Sequence, residues 1–144
     1  MVNAGTIIKA AGGVVAATAT LITLMKDNPQ LSNGLNSTIE KIKSATNSEN
    51  PKLRFDGRIK AIETCADAVE ESFPELTEPA DWRRKAATLR MRGELAWNAN
   101  EGKHRKKAMS ALNAETATVL EGVNARLVEL TTPTDQPKVI NPSA

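Results

Sequence analysis

Apolar residues recur at steps of three and four along most of the chain, and this spacing predicts helices. The clearest series follows Pro51, where alternating steps of four and three place six apolar residues on one helix face. They are Phe55, Ile59, Ile62, Ala66, Val69 and Phe73. Because the residue before a proline is biased away from helical geometry, Phe73-Pro74 predicts the end of this helix.

Two more helices are predicted downstream. The first starts with Thr77 as its cap, and its apolar face carries Trp82, Ala86, Leu89, Gly93 and Ala96 or Trp97. The apolar face of the last helix carries Met109, Leu112, Thr116, Val119, Val123, Leu127 and Leu130. The polar residues 98–107 include Gly102 and predict a turn or a strongly solvated helical stretch. A turn would make the last two helices a hairpin, which we favour over a continuous rod. We therefore predict a small antiparallel bundle of three main helices over residues 51–130.

The segments on either side of this bundle are predicted to be a short helix with a linker and a disordered tail. Asn28-Pro29 and Asn50-Pro51 each place a capping residue before proline, and both predict helix starts. A short helix reaching about Ala45 and a linker are expected within residues 27–50. Three prolines in residues 131–144 predict a disordered tail that starts at Thr131.

The N-terminal residues 1–26 form the most apolar segment. Residues 5–25 carry one charge, Lys9, and have the length of a membrane-spanning helix, but their Ala, Thr and Gly content makes spanning marginal. A secretory signal fits poorly because the apolar run continues to Met25. The third interpretation is a packing or oligomer-forming helix. Small residues four apart would let two such helices approach closely, and they are Gly12, Gly13, Ala16 and Ala17.

Composition supports an all-α protein of one domain. The 144 residues include two phenylalanines, two tryptophans and no tyrosine, which is too few aromatic side chains for a typical β-sandwich. One cysteine excludes an intramolecular disulfide framework, and with one histidine it cannot build a usual zinc site. A single cysteine is also compatible with a protein of the reducing cytoplasm. If the N-terminal helix associates with lipid, we expect the protein at the inner face of the membrane.

Charge is arranged in blocks although the net charge is only +2. Residues 51–80 are acidic overall and residues 81–110 are basic. The cations of the 83–107 basic block are the candidate partner-binding residues, namely Arg83, Arg84, Lys85, Arg90, Arg92, Lys103, Arg105, Lys106 and Lys107. Such a block binds a nucleic acid or an anionic membrane surface, or it pairs with the acidic 63–78 region.

Sequence motifs for catalysis and cofactor binding are missing. The chain has no phosphate-binding loop, dinucleotide fingerprint, zinc-protease motif, nucleophile elbow or CxxC, so we expect no catalytic residue, no cofactor and no metal. The carboxylates Glu63, Asp67 and Glu70 are expected to form a solvated acidic face, and Cys65 to be a half-buried small hydrophobe. His104 lies among cations and has no catalytic partner.

These patterns predict a non-enzymatic scaffold or adaptor. It would act through contacts with a protein partner or with further copies of itself as a homo-oligomer, and a membrane is a further candidate partner through the N-terminal helix. The alternative function is nucleic-acid binding by the basic 83–107 block.

Overall fold

The computed structural model describes residues 2–131, and the side chains of residues 14–31 and 34–131. Within this range the chain is all-α, as predicted, with five α-helices and no strand. The helices are α1 Val2–Asp27, α2 Ser32–Thr46, α3 Pro51–Ser72, α4 Glu78–Ala99 and α5 Gly102–Thr131, with a short 3-10 helix Pro29–Leu31 between α1 and α2. The predicted tail lies outside the described residues, apart from Thr131, which ends α5.

Helix α3 contacts the other four α-helices. Its predicted apolar face is confirmed, since Phe55, Ile59, Ile62, Ala66 and Val69 are all fully buried. Phe73 is half-buried and forms the C-cap of α3, as the following proline predicts. The burial of this whole face places α3 in the middle of the hydrophobic core.

The predicted apolar faces of α4 and α5 also lie in or against the core. Residues fully buried on these faces are Trp82, Ala86, Leu89, Gly93, Met109, Leu112, Thr116, Val123 and Leu127. Ala96, Trp97, Val119 and Leu130 are half-buried against them. Ion pairs join Glu78 of α4 to Arg126 of α5 and Arg92 of α4 to Glu115 of α5.

The polar segment 98–107 contains a short break in the helix, and the rest of it is solvated helix. Only Asn100 and Glu101 separate α4 from α5. Gly102 has a φ of +59°, a backbone conformation that glycine adopts without steric cost. The Asn100 side chain donates to the Ala96 carbonyl oxygen at 2.8 Å and closes the end of α4. Lys103 to Lys107 therefore lie on the first turns of α5, where polar side chains reach solvent from a helix.

The three predicted helix caps have different outcomes. Asn50 is confirmed, because its side chain accepts a hydrogen bond from the Lys52 backbone N–H at 2.8 Å. Asn28 is wrong as a cap, because its side chain donates to the Leu24 carbonyl oxygen at the end of α1. Thr77 stands at the N-cap of α4 but makes no side-chain capping hydrogen bond.

Helix α1 packs against α5, α3 and α2. Val14, Ala17, Leu21 and Leu24 are buried in the same core as the apolar faces of the other helices, and Ala16 is half-buried. Among the described residues, no helix combines the length and the apolar character that crossing a membrane requires. Gly12 and Gly13 belong to α1, but the packing predicted for them lies outside the residues whose surroundings are described.

Candidate functional site: a basic cleft where α5 begins

Cations of α4 lie in ion pairs with neighbouring helices. Arg83 donates to Asp67 at 2.7 Å and to Glu70 at 2.6 Å, both on α3. Arg90 donates to Glu63 of α3 at 3.1 Å. For Arg83 and Arg90 the structure thus shows the pairing with the acidic 63–78 region.

The other three α4 cations pair as well. Arg92 donates to Glu115 of α5 at 2.7 Å, and this bond lowers the pKa of the Glu115 carboxyl. Lys85 and Arg84 contact Asp81 of their own helix at 3.1 and 3.2 Å and lower the pKa of that carboxyl, Lys85 having the larger effect. These exposed pairs contribute little to stability, but they neutralise the positive charge of α4.

The cations at the start of α5 have different surroundings. Lys103, Lys106 and Lys107 are exposed, and none of them forms an ion pair within the described part of the chain. Arg105 is half-buried and stacks its guanidinium on the Trp97 ring, 4.2 Å from the ring centroid. Its Nε donates to the Asn100 carbonyl oxygen at 2.9 Å, which fixes the plane of the guanidinium. The positive charge of the basic block is therefore concentrated at this end of α5.

A cleft of about 630 Å³ lies between the start of α3, the end of α4 and the start of α5. Its lining includes four cations, Arg54, Arg58, Arg105 and Lys106, and one carboxylate, Glu49. The remaining lining residues are Pro51, Trp97, Gly102, Ser110, Asn113, Ala114 and Ala117.

Hydrogen bonds to uncharged oxygens hold the arginines from α3 in place. Arg54 donates to the Ser48 carbonyl oxygen at 3.0 Å. Arg58, which is 9% exposed, donates to the Asn113 side-chain oxygen. Burial and the nearby charge of Arg54 lower the pKa of the Arg58 guanidinium. A lowered arginine pKa marks a site where positive charge is desolvated and where an anion is favoured.

Two helices begin at the cleft. Pro51 starts α3 and Gly102 starts α5, and neither helix has an acidic residue in its first turn. Because the N-terminus of a helix carries a partial positive charge, both helices add to the attraction for an anion. At α3 this is an effect of the dipole, since Pro51 has no N–H and Asn50 accepts from the Lys52 N–H.

In comparisons with known proteins, no family model, no curated protein and no solved structure matches the chain. The chemistry of the cleft follows from its own residues. Within the described residues, no group of three or more His, Cys, Asp or Glu side chains is placed to hold a metal ion. Cys65 is fully buried rather than half-buried, and burial raises the pKa of its thiol to about 12. His104 is exposed at the edge of the basic region.

Sequence reasoning found only part of the site. Arg105 and Lys106 belong to the predicted basic block, whereas Arg54 and Arg58 lie in a segment that is acidic overall. The sequence does contain a signal for Arg58, which lies three residues after Phe55 and four before Ile62, on the apolar face of α3. A charged residue on such a face needs a polar environment, and here the cleft supplies it.

Proposed function

We propose that this chain is a non-enzymatic helical adaptor that presents a basic surface to an acidic protein partner. In this proposal α3, α4 and α5 act as an antiparallel bundle that holds the surface rigid. One observation supports it above the others: the lysines at the start of α5 are exposed and form no ion pair with any described residue, while the cations of α4 are neutralised.

The spacing of these lysines suits a partner of opposite charge. Lys103, Lys106 and Lys107 are three and four residues apart, so they lie together on one side of α5. A compact cluster of one sign accelerates encounter with an oppositely charged surface and disfavours partners of like charge. Specificity of this kind is what an adaptor needs.

A binding assay with an acidic peptide tests the proposal. Fluorescence anisotropy of labelled polyglutamate, titrated with the full chain at low ionic strength, is expected to show binding that weakens as salt is added. The variant Lys103→Gln/Lys107→Gln should bind about tenfold more weakly, since each lost pair contributes about 0.5–1 kcal/mol. A matched control, Lys41→Gln/Lys60→Gln, removes two exposed lysines from α2 and α3 and should bind normally.

Two results would overturn the proposal. One is that the full chain fails to bind polyglutamate at low ionic strength. The other is that both double variants lose affinity equally, because this would show that net charge rather than the α5 surface determines binding.

Nucleic-acid binding is the second candidate, and one observation favours it. The Arg105 guanidinium is stacked on Trp97 beside the lysine cluster, and an arginine plane is a surface on which an unpaired base stacks. The same assay with a single-stranded oligonucleotide of matched charge separates the two candidates. If the chain binds the oligonucleotide but not polyglutamate, the partner is a nucleic acid rather than a protein.

A further inference from the structure

The cleft where α5 begins combines two kinds of surface. Its lining includes the cations Arg54, Arg58, Arg105 and Lys106, and its apolar lining residues include Pro51, Trp97, Ala114 and Ala117. A bare inorganic ion would use only the cations, and an apolar ligand would leave them unused. The lining therefore fits a molecule with an anionic group at one end and an apolar body at the other.

We propose that this cleft binds a small phosphate monoester with a flat, apolar body. The inference goes beyond the adaptor function, because it assigns a small-molecule site to a cleft that shares only Lys106 with the lysine cluster. Its volume of about 630 Å³ lies within the roughly 300–1,000 Å³ of ordinary small-molecule sites.

Charge in the cleft favours a doubly charged group. Four cations and one carboxylate line it, and among the described residues Arg54, Arg105 and Lys106 form no ion pair. A phosphate monoester carries up to two negative charges near neutral pH and three acceptor oxygens. Guanidinium groups bind such oxygens with paired hydrogen bonds. The N-termini of α3 and α5 favour the same group.

The arginines are held in position before any ligand arrives. Arg54 and Arg105 donate to backbone carbonyl oxygens, and Arg58 donates to the Asn113 side chain. Asn113 in turn donates to the Met109 carbonyl oxygen at 3.0 Å, which fixes its orientation. Because the partner oxygens are uncharged, these bonds restrict the side chains without neutralising them. Binding then costs less conformational entropy than it would with mobile side chains.

Trp97 and Arg105 provide the surface on which the flat body of the ligand would stack. Trp97 is half-buried in the last turn of α4, and both its ring and the Arg105 guanidinium stacked on it line the cleft. Aromatic rings and guanidinium planes both stack on flat groups. Ala114 and Ala117 are too short to block such a group from the α5 side.

Nuclear magnetic resonance with phenyl phosphate as the probe tests the inference. The readout is the indole N–H signal of Trp97, and Trp82 serves as an internal reference because it is buried and does not line the cleft. Phenyl phosphate at constant ionic strength should shift the Trp97 signal saturably and leave Trp82 unchanged. Inorganic phosphate and phenol, which each supply half of the ligand, should both bind at least about tenfold more weakly.

Two variants locate the binding. Arg54→Gln/Lys106→Gln removes one arginine and one lysine from the lining, and it should weaken phenyl phosphate binding at least about tenfold through the lost charged hydrogen bonds. Arg84→Gln/Lys85→Gln removes the same residue types from the exposed surface of α4 and should bind normally. Circular dichroism of both variants checks that they remain folded.

Several outcomes would overturn the inference. They are the absence of a saturable Trp97 shift at millimolar phenyl phosphate, equal shifts of both tryptophans, and equal weakening in both variants. The adaptor proposal is tested separately, because Lys103→Gln/Lys107→Gln should bind polyglutamate about tenfold more weakly and phenyl phosphate normally. If the chain binds phenyl phosphate but not polyglutamate, the proposal for the cleft stands and the adaptor proposal fails.

Discussion

Gly93 and Gly122 are both helical glycines, but their surroundings are opposite. A Cβ at Gly93 would collide with the Phe55 ring, whereas a Cβ at Gly122 would meet no atom within 4 Å. Gly93→Ala should therefore lower the free energy of unfolding by about 1–3 kcal/mol, because the buried Phe55 ring must move. Gly122→Ala should raise it by about 0.5–1 kcal/mol through better helix propensity. Urea denaturation measures both, and a change of the same sign in both variants would contradict this account.

The buried thiol of Cys65 makes stability depend on alkaline pH. Its pKa is about 12 in the folded chain, against an ordinary value near 9. Between these pH values the unfolded chain releases the proton and the folded chain keeps it, so the free energy of unfolding should fall as pH rises. The contribution is fully present below about pH 9. Urea denaturation of Cys65→Ala over the same pH range should show a smaller alkaline loss, and identical curves would count against burial of the thiol.

The spacing of residues predicted which side chains are buried better than it predicted which charged side chains come together. The apolar faces of α3, α4 and α5 were predictable because each face follows from spacing within one helix. Arg54 and Arg58 were not recognised as site residues, because their importance depends on small α5 residues more than fifty positions away. Charge blocks identified the basic region, but which of its cations are neutralised depends on how α4 lies between α3 and α5.

At the scale of the element, helix ends illustrate what local sequence cannot decide. Asn28 and Asn50 both precede a proline, yet only Asn50 caps the helix that follows. The Asn28 side chain reaches back to α1 because that helix ends one residue earlier and leaves carbonyl oxygens without partners. The extent of α5 was underestimated for a related reason, since the polar residues at its start are compatible with a solvated helix as well as with a turn.

Asn50 and Thr77 provide a matched pair for testing caps. Asn50→Ala removes the hydrogen bond to the Lys52 backbone N–H and should lower the free energy of unfolding by about 1 kcal/mol. Thr77→Ala removes a side chain that makes no capping hydrogen bond, and the change should be much smaller. Thermal unfolding followed by circular dichroism compares the two. Equal losses would show that Thr77 has a capping role.

At the scale of the whole molecule, α1 belongs to the shared hydrophobic core. Leu21 is fully buried, whereas its neighbour Ile22 is 37% exposed. Leu21→Ala should lower the free energy of unfolding by about 2–5 kcal/mol, and Ile22→Ala should lower it less. Chemical denaturation of the full chain measures the difference. If Leu21→Ala left stability unchanged, α1 would be a helix that is not packed against the others.

The position of α1 beside α5 has a consequence for biosynthesis. The hydrogen bond from Thr20 to Asn124 joins residues 104 positions apart. At roughly 5–20 residues per second, the ribosome adds the α5 partner roughly 5–20 s after the corresponding part of α1. Throughout that interval α1, whose Val14, Leu21 and Leu24 are buried in the finished core, lacks the helix α5 that it packs against. A nascent chain of this protein therefore exposes an apolar helix for seconds, which is long enough for a chaperone to bind before the last helix arrives.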